Sequence, residues 1–202
     1  MPVHAQAPVL REDAPRLLVP RTDAALRLDG ALSEPAWRGA ARTGAFLEPG
    51  TREAARPHSD ARLLWDGRRL LLALYAADED IRTAHPAWLA DAFQVRVLGD
   101  RAAAFDVSAS GALTAARISP SGAVDTTWQS GAEVAVERDG TPDVPGDRDE
   151  EWVVELALPL DALGLRAEPG ATVDVRIARC DRMLETRERR CGETEAKIVL
   201  QP

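Results

Sequence analysis

The side chains best able to move protons or hold metals are scattered through this sequence. Its three histidines, His4, His58 and His85, lie in an N-terminal stretch or in predicted loops, and none belongs to a His-Glu-x-x-His helix or a comparable set. The sequence has no Gly-x-Ser-x-Gly nucleophile elbow, no Walker loop and no glycine-rich dinucleotide fingerprint, so hydrolase and nucleotide chemistry lack their parts. Carboxylates number 33. Two of them about 5 to 10 Å apart would serve a glycosidase, but no spacing marks out such a pair. The chain therefore reads as non-catalytic. The stretch Asp139 to Glu151 carries Asp139, Asp143, Asp147, Asp149, Glu150 and Glu151, oxygen donors of the kind that calcium takes. Its spacing departs from the twelve-residue calcium loop, and its prolines and glycines point to a solvated excursion between strands. Asp78-Glu79-Asp80 reads the same way. No cofactor is expected, and calcium is the one ion such loops would suit.

Recognition chemistry is better represented. Trp88, in His85-Pro86-Ala87-Trp88, immediately precedes a predicted strand in which Gln94 and Arg96 share the polar side. An indole plane accepts the C–H face of a pyranose, while sugar hydroxyls need planar amide, carboxylate and guanidinium partners. Gln94, Arg96, Asp106 and Arg176 supply those groups. The competing reading packs Trp88 beneath its own loop. Trp128, ahead of Gln129-Ser130-Gly131, is a second and weaker candidate platform, for which core or loop packing is the favoured reading. Trp37, Trp65 and Trp152 fit a core.

The elements that must position these residues are strands. Ala61 to Trp65 and Arg69 to Ala76 flank Asp66-Gly67, a dipeptide that favours a tight hairpin turn. Further strand-like runs are Ala92 to Leu98, Ala103 to Ala109, Leu113 to Ile118, Ala132 to Glu137, Trp152 to Leu158, Thr172 to Ala178 and Ala196 to Leu200. Successive side chains alternate across a sheet. Phe93, Val95 and Val97 thus oppose Gln94 and Arg96, Phe105 and Val107 oppose Asp106 and Ser108, and Val173, Val175 and Ile177 oppose Asp174 and Arg176. Trp152, Val154, Leu156 and Leu158 form one inward face, with Glu155 on the other. Residues 1–23, carrying Pro2, Pro8, Pro15 and Pro20, read as an extended tail before a first strand at Ala25 to Leu28. Residues 24–202 then form one domain. Ser33-Glu34-Pro35 looks like a helix start, so Glu34 to Arg42 is predicted helical with Trp37 on its buried side, and Pro159 to Gly164 adds a single turn. About ten strands and one or two short helices give an all-β fold, a two-sheet antiparallel sandwich of jelly-roll or immunoglobulin-like type.

Composition narrows the partners. The chain has 202 residues, 45% hydrophobic and 29% charged, and its formal net charge of −8 offers no bulk attraction to nucleic acid or anionic lipid. The longest apolar run, Leu70 to Ala77, is too short to span a membrane. Lys197 is the sole lysine among 25 basic residues. Cys180 and Cys191 offer at most one disulfide, which would add roughly 2 to 3 kcal/mol in an oxidising compartment; two separate buried thiols are the alternative. Ala5-Gln6-Ala7 resembles a signal-peptidase site, in keeping with a periplasmic or secreted protein and a leader removed upstream. A disordered cytoplasmic start reads equally well from those residues.

A series of short landmarks carries a resemblance: Leu28-Asp29-Gly30, Glu34 and Trp37; Leu64-Trp65-Asp66; Leu70 to Tyr75; Asp78 to Ile81; Asp91-Ala92-Phe93-Gln94-Val95; Phe105-Asp106-Val107-Ser108 with Gly111; Trp128; Trp152-Val153-Val154-Glu155 through Leu158-Pro159-Leu160; Leu163-Gly164; and Arg179. In this order they resemble family 9 carbohydrate-binding modules and their DOMON-like relatives, which implies the two-sheet sandwich and a saccharide ligand. Family members that hold a glycan's reducing end clamp it between two tryptophans, and Trp88 matches the first. After Trp152 no aromatic follows, and Gln94 and Asp106 stand where those members carry a carboxylate and an arginine. Haem-binding DOMON relatives use Met and His ligands, whereas Met183, His58 and His85 occupy unmatched positions. The resulting expectation is a non-catalytic module that binds a glycan through Trp88, Gln94, Arg96, Asp106, Arg176 and Trp128. The alternative is an accessory sandwich domain that has lost sugar binding and meets an envelope protein.

Overall fold

The alternating runs become two facing sheets in the computed structural model, which describes residues 10–83, 90–144, 146–182 and 189–202. Twelve strands are described: β1 Arg16–Val19, β2 Ala41–Arg42, β3 Ser59–Trp65, β4 Arg69–Ala77, β5 Ala92–Val97, β6 Ala103–Ser108, β7 Leu113–Ile118, β8 Val124–Asp125, β9 Glu133–Asp139, β10 Glu151–Pro159, β11 Thr172–Arg182 and β12 Arg189–Leu200. One sheet has seven strands in the order β1-β12-β11-β5-β6-β7-β8, and the other has five in the order β2-β3-β4-β10-β9. Every pairing is antiparallel except that of β1 with β12. The fold is an all-β sandwich.

The core lies between the sheets. Phe93 packs on Trp152 with ring centroids 4.8 Å apart and meets Phe46 edge-on at 6.3 Å. Leu72, Leu74, Val154, Leu156, Val95 and Phe105 are wholly buried around them. Each such side chain contributes about 1.5 to 3 kcal/mol by leaving water. The predicted inward faces of β5, β6, β10 and β11 are all buried. The Asp66-Gly67 hairpin also forms: Gly67 has φ +90°, and Asp66 Oδ1 accepts the N–H groups of Arg68 and Arg69 at 2.9 and 2.7 Å. At Pro159 to Gly164 the Gly164 N–H reaches Asp161 O at 3.0 Å, closing the single turn.

The first forty residues depart from expectation. No strand forms at Ala25 to Leu28; the N-terminal strand is β1, inside the stretch read as a tail. Pro15 and Pro20 bracket β1 rather than dissolve it, because a proline at a strand end removes no ladder donor. Their carbonyls still accept the N–H groups of Lys197 and Trp65, at 2.9 and 3.2 Å. Ser33 does not cap an α-helix: the helical piece is a short 3-10 turn, Pro35–Gly39, and Arg42 belongs to β2. Trp37 is nevertheless buried, as its pattern required.

This N-terminal strap covers the outer side of the five-stranded sheet. Leu26, Leu28, Leu32 and Trp37 pack on Leu64, Leu71, Ala73 and Ala157. At the centre stands Glu155, fully buried, whose Oε2 accepts the N–H groups of Asp29 and Gly30 at 2.7 and 2.8 Å and whose Oε1 accepts Trp37 Nε1–H at 2.9 Å. Gly30 has φ +87°, and a Cβ there would lie 2.5 Å from Glu137 N. Only glycine lets the strap approach β9 so closely.

Candidate functional site

The outer side of the seven-stranded sheet is polar and bears four of the residues singled out above. Because their neighbours in sequence are the buried core residues of β5, β6 and β11, Gln94, Arg96, Asp106 and Arg176 must all emerge on that side. Register brings them together: Gln94 stands between Ala178 and Asp106, and Arg96 between Arg176 and Ala104. Arg96 Nη1 donates to Asp106 Oδ1 at 2.5 Å and lies over the carbonyls of Val95 and Phe105 at 3.3 and 3.4 Å. Arg176 donates through Nε and Nη2 to Glu195 Oε1 at 2.7 and 2.5 Å. The backbone N–H and Nε of Arg11 donate to Glu195 Oε2 at 3.1 and 3.3 Å. Burial pushes the Glu195 carboxyl up, but these donors and the two guanidinium charges outweigh it and hold the group below its ordinary value.

Two like-charged guanidiniums directly opposite each other would repel. Here each is tied to its own carboxylate, which fixes its orientation and leaves donors uncommitted. Arg96 Nε and Nη2, Arg176 Nη1 and the Gln94 amide have no partner among the described residues. The neighbouring positions are small, with Ala178 and Ala104 alongside the arginines.

The tryptophans divide differently. Trp88 lies outside the described residues. Trp128 is across the sheet from Gln94 and Arg96: its ring packs 5.9 Å from the inward-facing Phe105, and the Arg117 guanidinium stacks over it at 4.0 Å. It closes the edge of the core rather than joining the polar face. Cys180 and Cys191 are directly opposed on β11 and β12 and form a disulfide, on the outer face one row beyond Ala178, Gln94 and Asp106. His58 bonds Asp60 Oδ2 at 3.0 Å beside Tyr75, on the other sheet. Met183 and His85 lie outside the described residues.

One end of the core is unexpectedly polar. Asp78, Asp91, Arg179 and Asp181, all buried, occupy inward positions where the apolar alternation of β4, β5 and β11 runs out. Asp78 Oδ2 accepts Arg179 Nη2–H at 2.6 Å and Trp152 Nε1–H at 3.1 Å, and Arg179 Nη1 is 3.4 Å from Asp181. Burial pushes the Asp181 carboxyl up, against the pull of Arg179. Carboxylate oxygens of Asp78, Asp91 and Asp181 lie within 4.8 Å of one another, the described set with the chemistry to hold a hard cation; the Arg179 guanidinium already supplies positive charge there. Asp149, read as part of a solvated loop, is also buried, with Oδ2 accepting Ile81 N–H at 2.7 Å and Oδ1 accepting Thr141 N–H at 2.6 Å. Phase was the available signal: Asp78 follows Leu72, Leu74 and Ala76 at even spacing, and Arg179 and Asp181 follow Val175 and Ile177.

Among the described residues, the strap covers the outer side of the five-stranded sheet, while that of the seven-stranded sheet carries the polar side chains. No protein-family model matches the sequence, and no curated protein is significantly similar to it. Solved structures share the fold. A candidate carbohydrate-binding protein of Bacteroides uniformis superposes with a TM-score of 0.67 at 15% identity, covering 94% of this chain and 100% of its own. A family 9 carbohydrate-binding module of Caldicellulosiruptor kristjanssonii in complex with cellotriose gives 0.64 at 12% identity, covering 92% and 93%. The structure of a family 9 module from that organism with glucose gives 0.63 at 11%, covering 91% and 95%.

Proposed function

We propose that this chain is a non-catalytic carbohydrate-binding module that holds a glycan on the open face of the seven-stranded sheet, through Gln94, Arg96, Asp106 and Arg176, with Trp88 as the platform beside them. The observation that carries this reading is the convergence, in register, of an amide, a carboxylate and two guanidiniums on one face, with donors left unpartnered among the described residues. Charge-assisted hydrogen bonds of this kind orient hydroxyl groups, and the Arg96–Asp106 and Arg176–Glu195 pairs hold the donors in place before a ligand arrives. The sandwich neighbours solved in complex with cellotriose and glucose support the same class of ligand. The disulfide supports an oxidising location, periplasmic or secreted.

The test is intrinsic tryptophan fluorescence during titration with mono- and oligosaccharides, for the unmodified chain and for Trp88→Ala and Gln94→Ala. A saturable change lost in both variants supports the reading. A flat response from a folded protein contradicts it and favours a second role, an accessory domain that meets an envelope protein. One observation points to that role: among the described residues, no aromatic side chain stands on the open face.

A further inference from the structure

Two grooves on the outer side of the seven-stranded sheet meet at one ion pair. The first, about 430 Å³, runs past Asp100, Arg101 and Thr172 to Asp174 and Lys197. The second, about 500 Å³, reaches the same pair from Glu12 and Arg16. Register sets Asp174 directly opposite Lys197, one row beyond Arg176 and Glu195 and two rows beyond Ala178, the neighbour of Gln94. At the rise of a β-strand, two rows span about 13 Å. The grooves therefore continue the polar face beyond the reach of one sugar ring.

Their charges balance. Arg16, Arg101 and Lys197 face Glu12, Asp100 and Asp174, while Arg11 is committed to Glu195. Such a lining gives no net attraction to an ion but offers donors and acceptors side by side. Lys197 Nζ is 3.5 Å from Asp174 Oδ1, too long for a close hydrogen bond, and both side chains remain partly exposed. Adjacent hydroxyls of an uncharged sugar complete that pair, one accepting from Nζ and the next donating to the carboxylate.

We propose that Lys197 and Asp174 form a second saccharide subsite, and that the ligand is a neutral oligosaccharide crossing β11 from the Gln94 row to this pair. The inference rests on the carbohydrate-binding reading above. It also has a clean reporter, because Lys197 is the only lysine in the chain.

The experiment acetylates amines on the folded protein with an N-hydroxysuccinimide ester, with and without saturating cellotriose, xylotriose or mannotriose and the matching monosaccharides, and reads Lys197 by peptide mass spectrometry. Fluorescence titration of the same samples reports binding independently. The expected result is that the bound trisaccharide shields Lys197 and the monosaccharide does not, and that Lys197→Ala weakens the trisaccharide about tenfold, the loss of a hydrogen bond to a charged donor. A trisaccharide that shifts the fluorescence while Lys197 acetylates at its unliganded rate overturns the subsite and leaves the Gln94 row standing. If no saccharide produces a fluorescence change, both are overturned.

Discussion

The two outer faces of the sandwich use similar residue types to opposite ends. Over the five-stranded sheet, Glu155 is dry and both its oxygens are engaged by the strap, through Asp29, Gly30 and the Trp37 indole. Over the seven-stranded sheet, Asp106 and Glu195 are spent on arginines that keep donors in reserve. Glu155 accepts only backbone and indole donors and closes its face with them, whereas Asp106 and Glu195 steady Arg96 and Arg176, Glu195 also accepting the Arg11 backbone N–H. The contrast explains why only one side of this fold is a candidate site.

The largest test of that contrast removes the closure. Glu155→Ala would strand two buried donors and a partly buried one, and is expected to lower unfolding free energy by about 3 kcal/mol or more, read by urea denaturation, because each buried unsatisfied donor costs about 1 to 3 kcal/mol. Any saccharide response of the open face should survive in the molecules that still fold. Next in size is the disulfide on the open side. Replacing Cys180 and Cys191 together by alanine is expected to cost about 2 to 3 kcal/mol by the closed-ring argument, again read by denaturation. Reducing agent should destabilise the unmodified chain and leave the double variant unchanged.

Smaller effects separate the faces by sign. Arg96→Ala breaks a partly exposed pair, so its stability cost should stay within about 1 kcal/mol while the saccharide fluorescence change is lost. A larger stability loss with binding retained would reverse the assignment. The last pair of predictions uses pH. Burial raises the Glu155 carboxyl above its ordinary 4.5, so its contribution is full below that value and declines as pH rises through the folded value. Despite its burial, Glu195 is held below 4.5, so its contribution is full above that value and is lost as pH falls through the folded one. Stability-versus-pH curves of Glu155→Gln and Glu195→Gln, each subtracted from the unmodified chain, should therefore slope in opposite directions.

Much of the open face was legible in the sequence, because period-two alternation in β5, β6 and β11 fixes both the core and what must oppose it. Gln94, Arg96, Asp106 and Arg176 fall together for that reason alone. The covered face was less legible. Leu26 and Leu28 alternate as a strand would, but they pack across a sheet without joining its ladder. Trp37 could be placed inward, yet its hydrogen bond to Glu155 depends on two segments 118 residues apart. β1 was hidden by its flanking prolines, which read as tail. The buried Asp78, Arg179 and Asp181 were missed because charged residues at the end of an apolar run look like solvated strand ends, and Asp149 because it sits in an acidic stretch that reads as a solvated loop. No periodicity places Trp128, which stands just ahead of Gln129-Ser130-Gly131, and its stacking partners Phe105 and Arg117 come from distant strands.

On this reading the polar face of the seven-stranded sheet binds saccharide and the strapped face does not. Backbone amide chemical-shift mapping during titration with cellotriose, xylotriose and mannotriose tests it most directly. For at least one of these sugars, saturable shifts should concentrate at Gln94, Arg96, Asp106 and Arg176, with Asp29, Gly30, Trp37 and Glu155 unmoved. Shifts that concentrate on the strap, or none anywhere for any of the three, would contradict it.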